Sequence, residues 1–180
     1  MSNHTLSEKI QGFYNKNTDL VLKLGQSSEG SIHRAICAYG VSERHAAIHY
    51  VDEKICKLLL KLHNHTTPHI VDFGCGVASS LCYSESQISV TGLGITISEE
   101  QCKLANHRIE KHDYADKLHC IQGDFCKLPK NLEKADLIFA IEYFVHAQSA
   151  GTFFHQASSL LKPGGYLIIC DDFLTDESLM

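Results

Sequence analysis

The segment that most narrows the possible folds is His69-Ile70-Val71-Asp72-Phe73-Gly74-Cys75-Gly76-Val77-Ala78-Ser79, an apolar strand that runs straight into a glycine-rich turn opening a helix. Gly74 and Gly76 remove side chains where a backbone must turn tightly and approach a ligand. The helix start beyond them presents free N–H groups. Asp72, two residues before the first glycine, falls at the carboxyl end of the strand, where it can face a ligand's ammonium or hydroxyl group across a switch-point crevice. Without Asp72 the same pattern would read equally well as a tight βα turn that binds nothing.

The rest of the chain repeats the same beat. Strands are expected at 69–73, 88–92, 118–122, 136–141 and 166–171, with helices near 79–83, 98–111 and 151–161. Strands separated by helices need crossover connections, which build a parallel sheet with helices on both faces. Runs such as Leu137-Ile138-Phe139-Ala140-Ile141 and Tyr166-Leu167-Ile168-Ile169-Cys170 are apolar throughout, as strands covered on both faces must be. The fold class is therefore α/β, a doubly wound parallel Rossmann-like sheet. Residues 1–65 read as a separate helical segment and 66–180 as the α/β core. Within the first segment, Ser42 reads as an N-cap for one helix over 43–62, whose Ile48, Val51, Ile55, Leu58, Leu59 and Leu62 form an apolar stripe.

Composition excludes several classes. With 180 residues, 44% apolar and 21% charged, the chain suits one globular domain with a real core. Its 16 basic and 21 acidic residues give a net charge of -5, which argues against a partner chosen by phosphate charge, so nucleic acid is not expected. No apolar run approaches the roughly 20 residues of a membrane span, and Met1-Ser2-Asn3-His4-Thr5 lacks the character of a signal peptide. A cytoplasmic protein is expected. The eight cysteines lie scattered in apolar segments and read as reduced thiols. His45 and His49, and His63-Asn64-His65, invite a metal reading, but neither carries the carboxylate or cysteine spacing of a zinc site, and no metal is assigned.

A dinucleotide site would want a third glycine and an acid near the end of the second strand. Here Ser79 holds the glycine position and no acid falls between Val90 and Ser98, which counts against a nicotinamide oxidoreductase. The turn instead resembles the acid-x-Gly-x-Gly-x-Gly motif of class I S-adenosylmethionine-dependent methyltransferases, with Ala78 in place of the last glycine. That resemblance runs from about Phe13 to the end of the chain. It implies that Asp72, Gly74, Cys75 and Gly76 contact the cofactor S-adenosyl-L-methionine.

Further stretches carry the same likeness. Gly94-Ile95-Thr96-Ile97-Ser98-Glu99-Glu100-Gln101 resembles the cyclopropane fatty acid synthase and terpenoid C-methyltransferase branch, which implies that Thr96 and Gln101 take the ribose hydroxyls. Ser98-x-x-Gln101 is equally a capping box, and both readings stand. Gly123-Asp124-Phe125 implies an adenine site, with Asp124 accepting from the amino group and Phe125 packing on the ring; Gly-Asp is also ordinary turn chemistry. Ala140-Ile141-Glu142 to His146-Ala147 resembles a segment of sterol C-methyltransferases, and Glu142 and His146 are the acid/base candidates. A helix-capping glutamate and a histidine satisfied by backbone are the plainer alternatives.

Phe13-Tyr14-Asn15-Lys16-Asn17-Thr18-Asp19, then Leu24-Gly25 and Ile32-His33, resembles the amino-terminal lid of sterol and tocopherol methyltransferases, without that lid's tryptophan. Tyr14 is the lid candidate, or else a core tyrosine. Leu161-Lys162-Pro163-Gly164-Gly165 resembles the family's turn before its fifth strand. The resemblance implies methylation of a small-molecule acceptor at carbon, oxygen or nitrogen. It also implies two more strands than this chain holds before Met180, so the sheet is expected to lack them. The fifth-strand edge would then be covered by another chain, a homo-oligomer contact or the chain's own last residues. A cofactor-binding module without turnover of its own is the alternative function.

Overall fold

The computed structural model describes residues 5–24, 34–36, 38–62 and 66–174. The core is one parallel sheet of β1 (His69–Phe73), β2 (Thr91–Thr96), β3 (Leu118–Gln122), β4 (Ala135–Ile141) and β5 (Leu161–Cys170), in the order β3-β2-β1-β4-β5. β1 is central and wholly buried, and its polar residues His69 and Asp72 are buried with it. The order reverses between β1 and β4, so the crevice beyond their carboxyl ends is the topological switch point where such sheets bind ligands.

Helices cover both faces. α3 (Tyr50–Leu62), α4 (Ser79–Gln87) and α5 (Glu99–Lys111) bury Ile55, Leu59, Leu81, Ala105 and Ile109 against one face. α6 (Ala150–Leu160) buries Phe153, Ala157 and Leu160 against the other, in an aromatic cluster with Phe73 and Phe125. Each fully buried phenylalanine there contributes about 1.5–3 kcal/mol. α1 (Leu6–Leu24) packs on α5, and its polar residues reach the carboxyl edge of the sheet: Ser7 donates to Asp124 at 3.0 Å, and Ser98 donates to Asn15 at 2.7 Å.

Four expectations need correction. The helix over 43–62 is two helices, α2 (Arg44–Ile48) and α3, broken at His49, and Glu43 rather than Ser42 stands at the N-cap, without a side-chain cap bond. The break follows from a tertiary contact that propensity does not see. His49 is buried, bonded through Nδ1 to Asp52 at 2.8 Å and stacked on Tyr83 at 4.2 Å. The second strand is not 88–92 but β2, because Ile88 caps α4 and Val90 N–H donates to Glu85. Gly92 and Gly94 disguise β2 as a loop; a Cβ on Gly92 would lie 3.0–3.2 Å from Leu118, Leu81 and Ile70, so the strand is glycine-rich in order to pack.

The remaining two corrections lengthen elements. α4 continues past Tyr83 to Gln87, and β5 begins at Leu161, so the Lys162-Pro163-Gly164-Gly165 stretch lies within the strand where its register against β4 shifts. Gly25, Ile32, His33, Cys37 and His63-Asn64-His65 lie outside the described residues. No helix among the described residues is long and apolar enough to cross a membrane, and none of their His, Cys, Asp and Glu groups is arranged to hold a metal ion.

Candidate active site

The glycine turn is fixed by backbone bonds from Gly74 and Cys75 N–H to Ile95 C=O, at 2.8 and 3.1 Å. Gly74 sits at φ +88°, and Gly76 at φ +52°, in the region that favours glycine. Ala78, standing where the family motif has its last glycine, also takes a left-handed φ of 61°. Asp72 is buried, and its carboxylate makes no hydrogen bond among the described residues. Burial pushes its pKa well above the usual carboxylate range, and the nearby Asp52 and Cys120 add to the shift.

Cys75 lines the cleft, and its thiol meets β3. Its Sγ lies 3.2 Å from Sγ of Cys120 in β3, reaching across β2 over Gly94. A Cβ on Gly94 would stand 2.7 Å from that sulfur, so the glycine makes room for the thiol pair.

At the end of β2, the Thr96 hydroxyl donates to Gln101 Oε1 at 2.8 Å, with both side chains buried. Ser98 accepts from Gln101 N–H, which is half of the capping box; Ser98 N–H itself goes to Thr96 Oγ1. Gln101 lines the cleft beside the glycine turn, whereas Thr96 reaches it only through Gln101. After β3, Asp124 Oδ1 accepts from Cys126 N–H at 2.8 Å, closing a turn, and Oδ2 accepts from Ser7. Phe125 is buried, stacked on Phe73 at 5.7 Å.

Glu142, one residue beyond β4, takes φ +53°, an uncommon conformation for a residue with a side chain. It is held by its N–H to Cys170 C=O at 2.7 Å, and its carboxylate accepts from the Arg34 backbone N–H and Nε at 3.1 and 3.0 Å. Arg34 also donates to Asp172 at 3.0 Å. His146 is half-buried, with Nε2 3.0 Å from the Tyr14 hydroxyl; burial lowers its pKa, opposed by Asp171. Burial, and then the charge of Glu142, raises the pKa of Tyr14.

Tyr14, Gly74, Cys75, Gly76, Gln101 and Glu142 thus meet around one cleft of about 100 Å³, and Asp124, Phe125 and His146 around a smaller one of about 10 Å³ beside it. Asp72 and Thr96 stand behind these walls. Three residues escaped the sequence. Arg34 is separated from Glu142 by 108 positions. Asp52 lines a small cavity with Glu142 and Arg34 and has one buried carboxylate oxygen without a partner. Tyr143 lies between the two clefts and lines both.

Known proteins bear on this site. Residues 71–169 match the family model described as a methyltransferase domain. A sterol 24-C-methyltransferase of Gibberella zeae is 32% identical over 176 residues, which is 91% of this chain and 41% of that protein, so the chain spans less than half its length. Among solved structures, the cyclase SpnF aligns with a TM-score of 0.74 at 19% identity, over 92% of this chain and 60% of that one. A geranyl diphosphate C-methyltransferase from Streptomyces coelicolor, in complex with Mg2+, geranyl diphosphate and S-adenosyl-L-homocysteine, aligns with a TM-score of 0.66 at 20% identity, over 94% and 66%. Likeness at these identities establishes the fold, and a fold hosts more than one chemistry.

Proposed function

The chain belongs to the methyltransferase-domain family, and from that premise we propose that it binds S-adenosylmethionine across the carboxyl edge of β1–β4 and directs its methyl group to a small-molecule acceptor. The observation that carries this reading is the convergence of the turn after β1, Gln101 after β2 and Asp124-Phe125 after β3 on one crevice. The donor set fits that cofactor. Asp72 is a buried carboxylate with no hydrogen bond among the described residues, suited to an ammonium group. Gln101 is suited to ribose hydroxyls, with Thr96 orienting it, and Asp124 with Phe125 to an adenine amine and ring.

When bound, the cofactor supplies an electrophilic methyl on a sulfonium. The protein's own contribution is positioning and a dry site, since such a displacement asks for little new charge. α1 supplies the cover through Tyr14, Ser7 and Asn15, in keeping with residues 1–65 acting as a lid on the core of 66–180. The Glu142 carboxylate is taken up by the Arg34 backbone N–H and guanidinium, so the neutral imidazole of His146, with its Tyr14 partner, is the better placed of the two to take a proton from a hydroxyl or amine acceptor. For an alkene acceptor the ring of Tyr14 would face the resulting cation. All seven described cysteines are free thiols, which supports a reducing, cytoplasmic setting.

Isothermal titration of the folded chain with S-adenosylmethionine and S-adenosylhomocysteine, with NADH as control, tests the reading. Saturable binding of the first two and none of NADH is expected, with Asp124→Ala weakening it. No binding by the folded chain would overturn it.

A further inference from the structure

We infer that Tyr143 is a gate in this cleft, its ring lying across the path between the glycine turn and the Asp124-Phe125 subsite so that the cofactor must displace it to bind. The inference rests on the cofactor reading above and adds a residue that sets the cofactor's affinity.

The ring's position is defined on every side. Its Cγ, Cδ1 and Cβ lie 2.1–2.6 Å from where a Cβ on Gly74 would stand, so it is pressed onto the turn itself. It meets Phe125 edge-on at 5.3 Å and His146 at 5.2 Å, with Tyr14 at 6.1 Å. The spaces left on either side of it are about 100 and 10 Å³. Pockets that hold ligands of this general size run to roughly 300–1,000 Å³. One side chain therefore divides a crevice that a nucleoside joined to an amino acid has to occupy continuously.

The closed position is also imperfectly satisfied. The Tyr143 hydroxyl is buried, with only the Ile97 backbone near it and no well-formed hydrogen bond among the described residues, and burial drives its pKa far up. A buried phenol with so weak a partner carries a desolvation cost that is relieved when it swings out. Just before it, Glu142 holds its left-handed φ through Cys170 and Arg34, and this bend turns the following side chain into the cleft. Strain stored next to an occluding ring is the arrangement of a two-position element. A site that is open only part of the time binds more weakly in proportion to the open fraction.

The test is titration calorimetry of S-adenosylhomocysteine against wild type, Tyr143→Ala and Tyr143→Phe, with thermal unfolding of each. Tyr143→Ala is expected to bind about tenfold tighter or more, because the closed state is gone. Tyr143→Phe keeps the ring, so it is expected to bind no tighter than wild type and to melt no lower, having lost only a weakly partnered buried hydroxyl. Wild-type binding that Tyr143→Ala leaves unchanged or weakens would overturn the gate while leaving the cofactor reading intact. No binding by any of the three folded proteins would overturn the cofactor reading and the gate with it. A second readout needs no variant: in stopped flow, the wild-type binding rate should level off at high ligand as opening becomes limiting, and a rate that rises linearly throughout would overturn the gate.

Discussion

The Tyr14 hydroxyl and Nε2 of His146 lie 3.0 Å apart, a bond that joins α1 to the turn after β4 across 132 positions. Burial lowers the pKa of His146 below its ordinary 6.5, so folding favours the neutral ring. Its contribution to stability is then fully present above pH 6.5 and is lost as pH falls through the lowered folded value. His146→Gln keeps a partner for Tyr14 and cannot titrate. Urea unfolding at a series of pH values should show wild type losing stability relative to this variant below pH 6.5, whereas parallel curves would remove His146 as the group responsible.

Asp72 has the opposite sign. Its folded pKa is raised, first by burial, so its contribution is fully present below its ordinary value of 3.8 and is lost as pH rises through the raised one. Asp72→Asn removes that penalty and should be more stable than wild type by a margin that grows with pH. The same change removes the charge meant for an ammonium group, and S-adenosylhomocysteine affinity should drop about tenfold or more, the loss of one charge-assisted hydrogen bond. A variant that is both less stable at neutral pH and unchanged in binding would contradict the assignment.

Arg34 and Glu142 form an ion pair at 3.0 Å with the arginine side chain 60% exposed. Water and salt reach such a pair, so its coupling is small and screened. A double-mutant cycle of Arg34→Ala and Glu142→Gln, read by thermal unfolding, should give a favourable coupling at low ionic strength that vanishes in about 1 M salt, where the screening length is roughly 3 Å. Coupling that survives high salt would mean a drier contact than the one described.

Gly94→Ala would drive a methyl to 2.7 Å from the Cys75 sulfur and 3.1 Å from Leu81. Overpacking of this kind costs about 1–3 kcal/mol. Cys75→Ala in the same chain should return much of the loss, as measured by denaturant midpoint. Equal losses in the single and double variants would place the clash elsewhere.

Strand β4 is legible as the apolar run Leu137-Ile138-Phe139-Ala140-Ile141, β1 as Ile70-Val71 leading into the glycine turn, and edge strand β3 through buried Leu118 and Cys120 alternating with exposed His119. β2 was displaced by several residues because Gly92 and Gly94 remove the signal that strands are read by; their reason is tertiary, the closeness of Leu118, Leu81 and Cys75. Gly74, Gly76 and Asp124 lie in the turns just after β1 and β3, so placing those strands placed them, whereas Gln101 sits in the first turn of α5 and is found by its motif. Tyr143 could not be found that way. Its direction depends on the left-handed φ of Glu142, set by Cys170 and Arg34, both distant in the chain. Arg34 is likewise a long-range contact, 108 positions from Glu142, invisible to any pattern within one element.

The thiol that crosses over Gly94 also orders the chain's history. Because the sulfur of Cys75 fills the space a side chain at 94 would need, the two positions cannot drift independently. A lineage can replace Cys75 first by something smaller and then admit alanine at 94, but the reverse sequence passes through a destabilised intermediate. Relatives with a side chain at 94 should therefore be those with a small residue at 75.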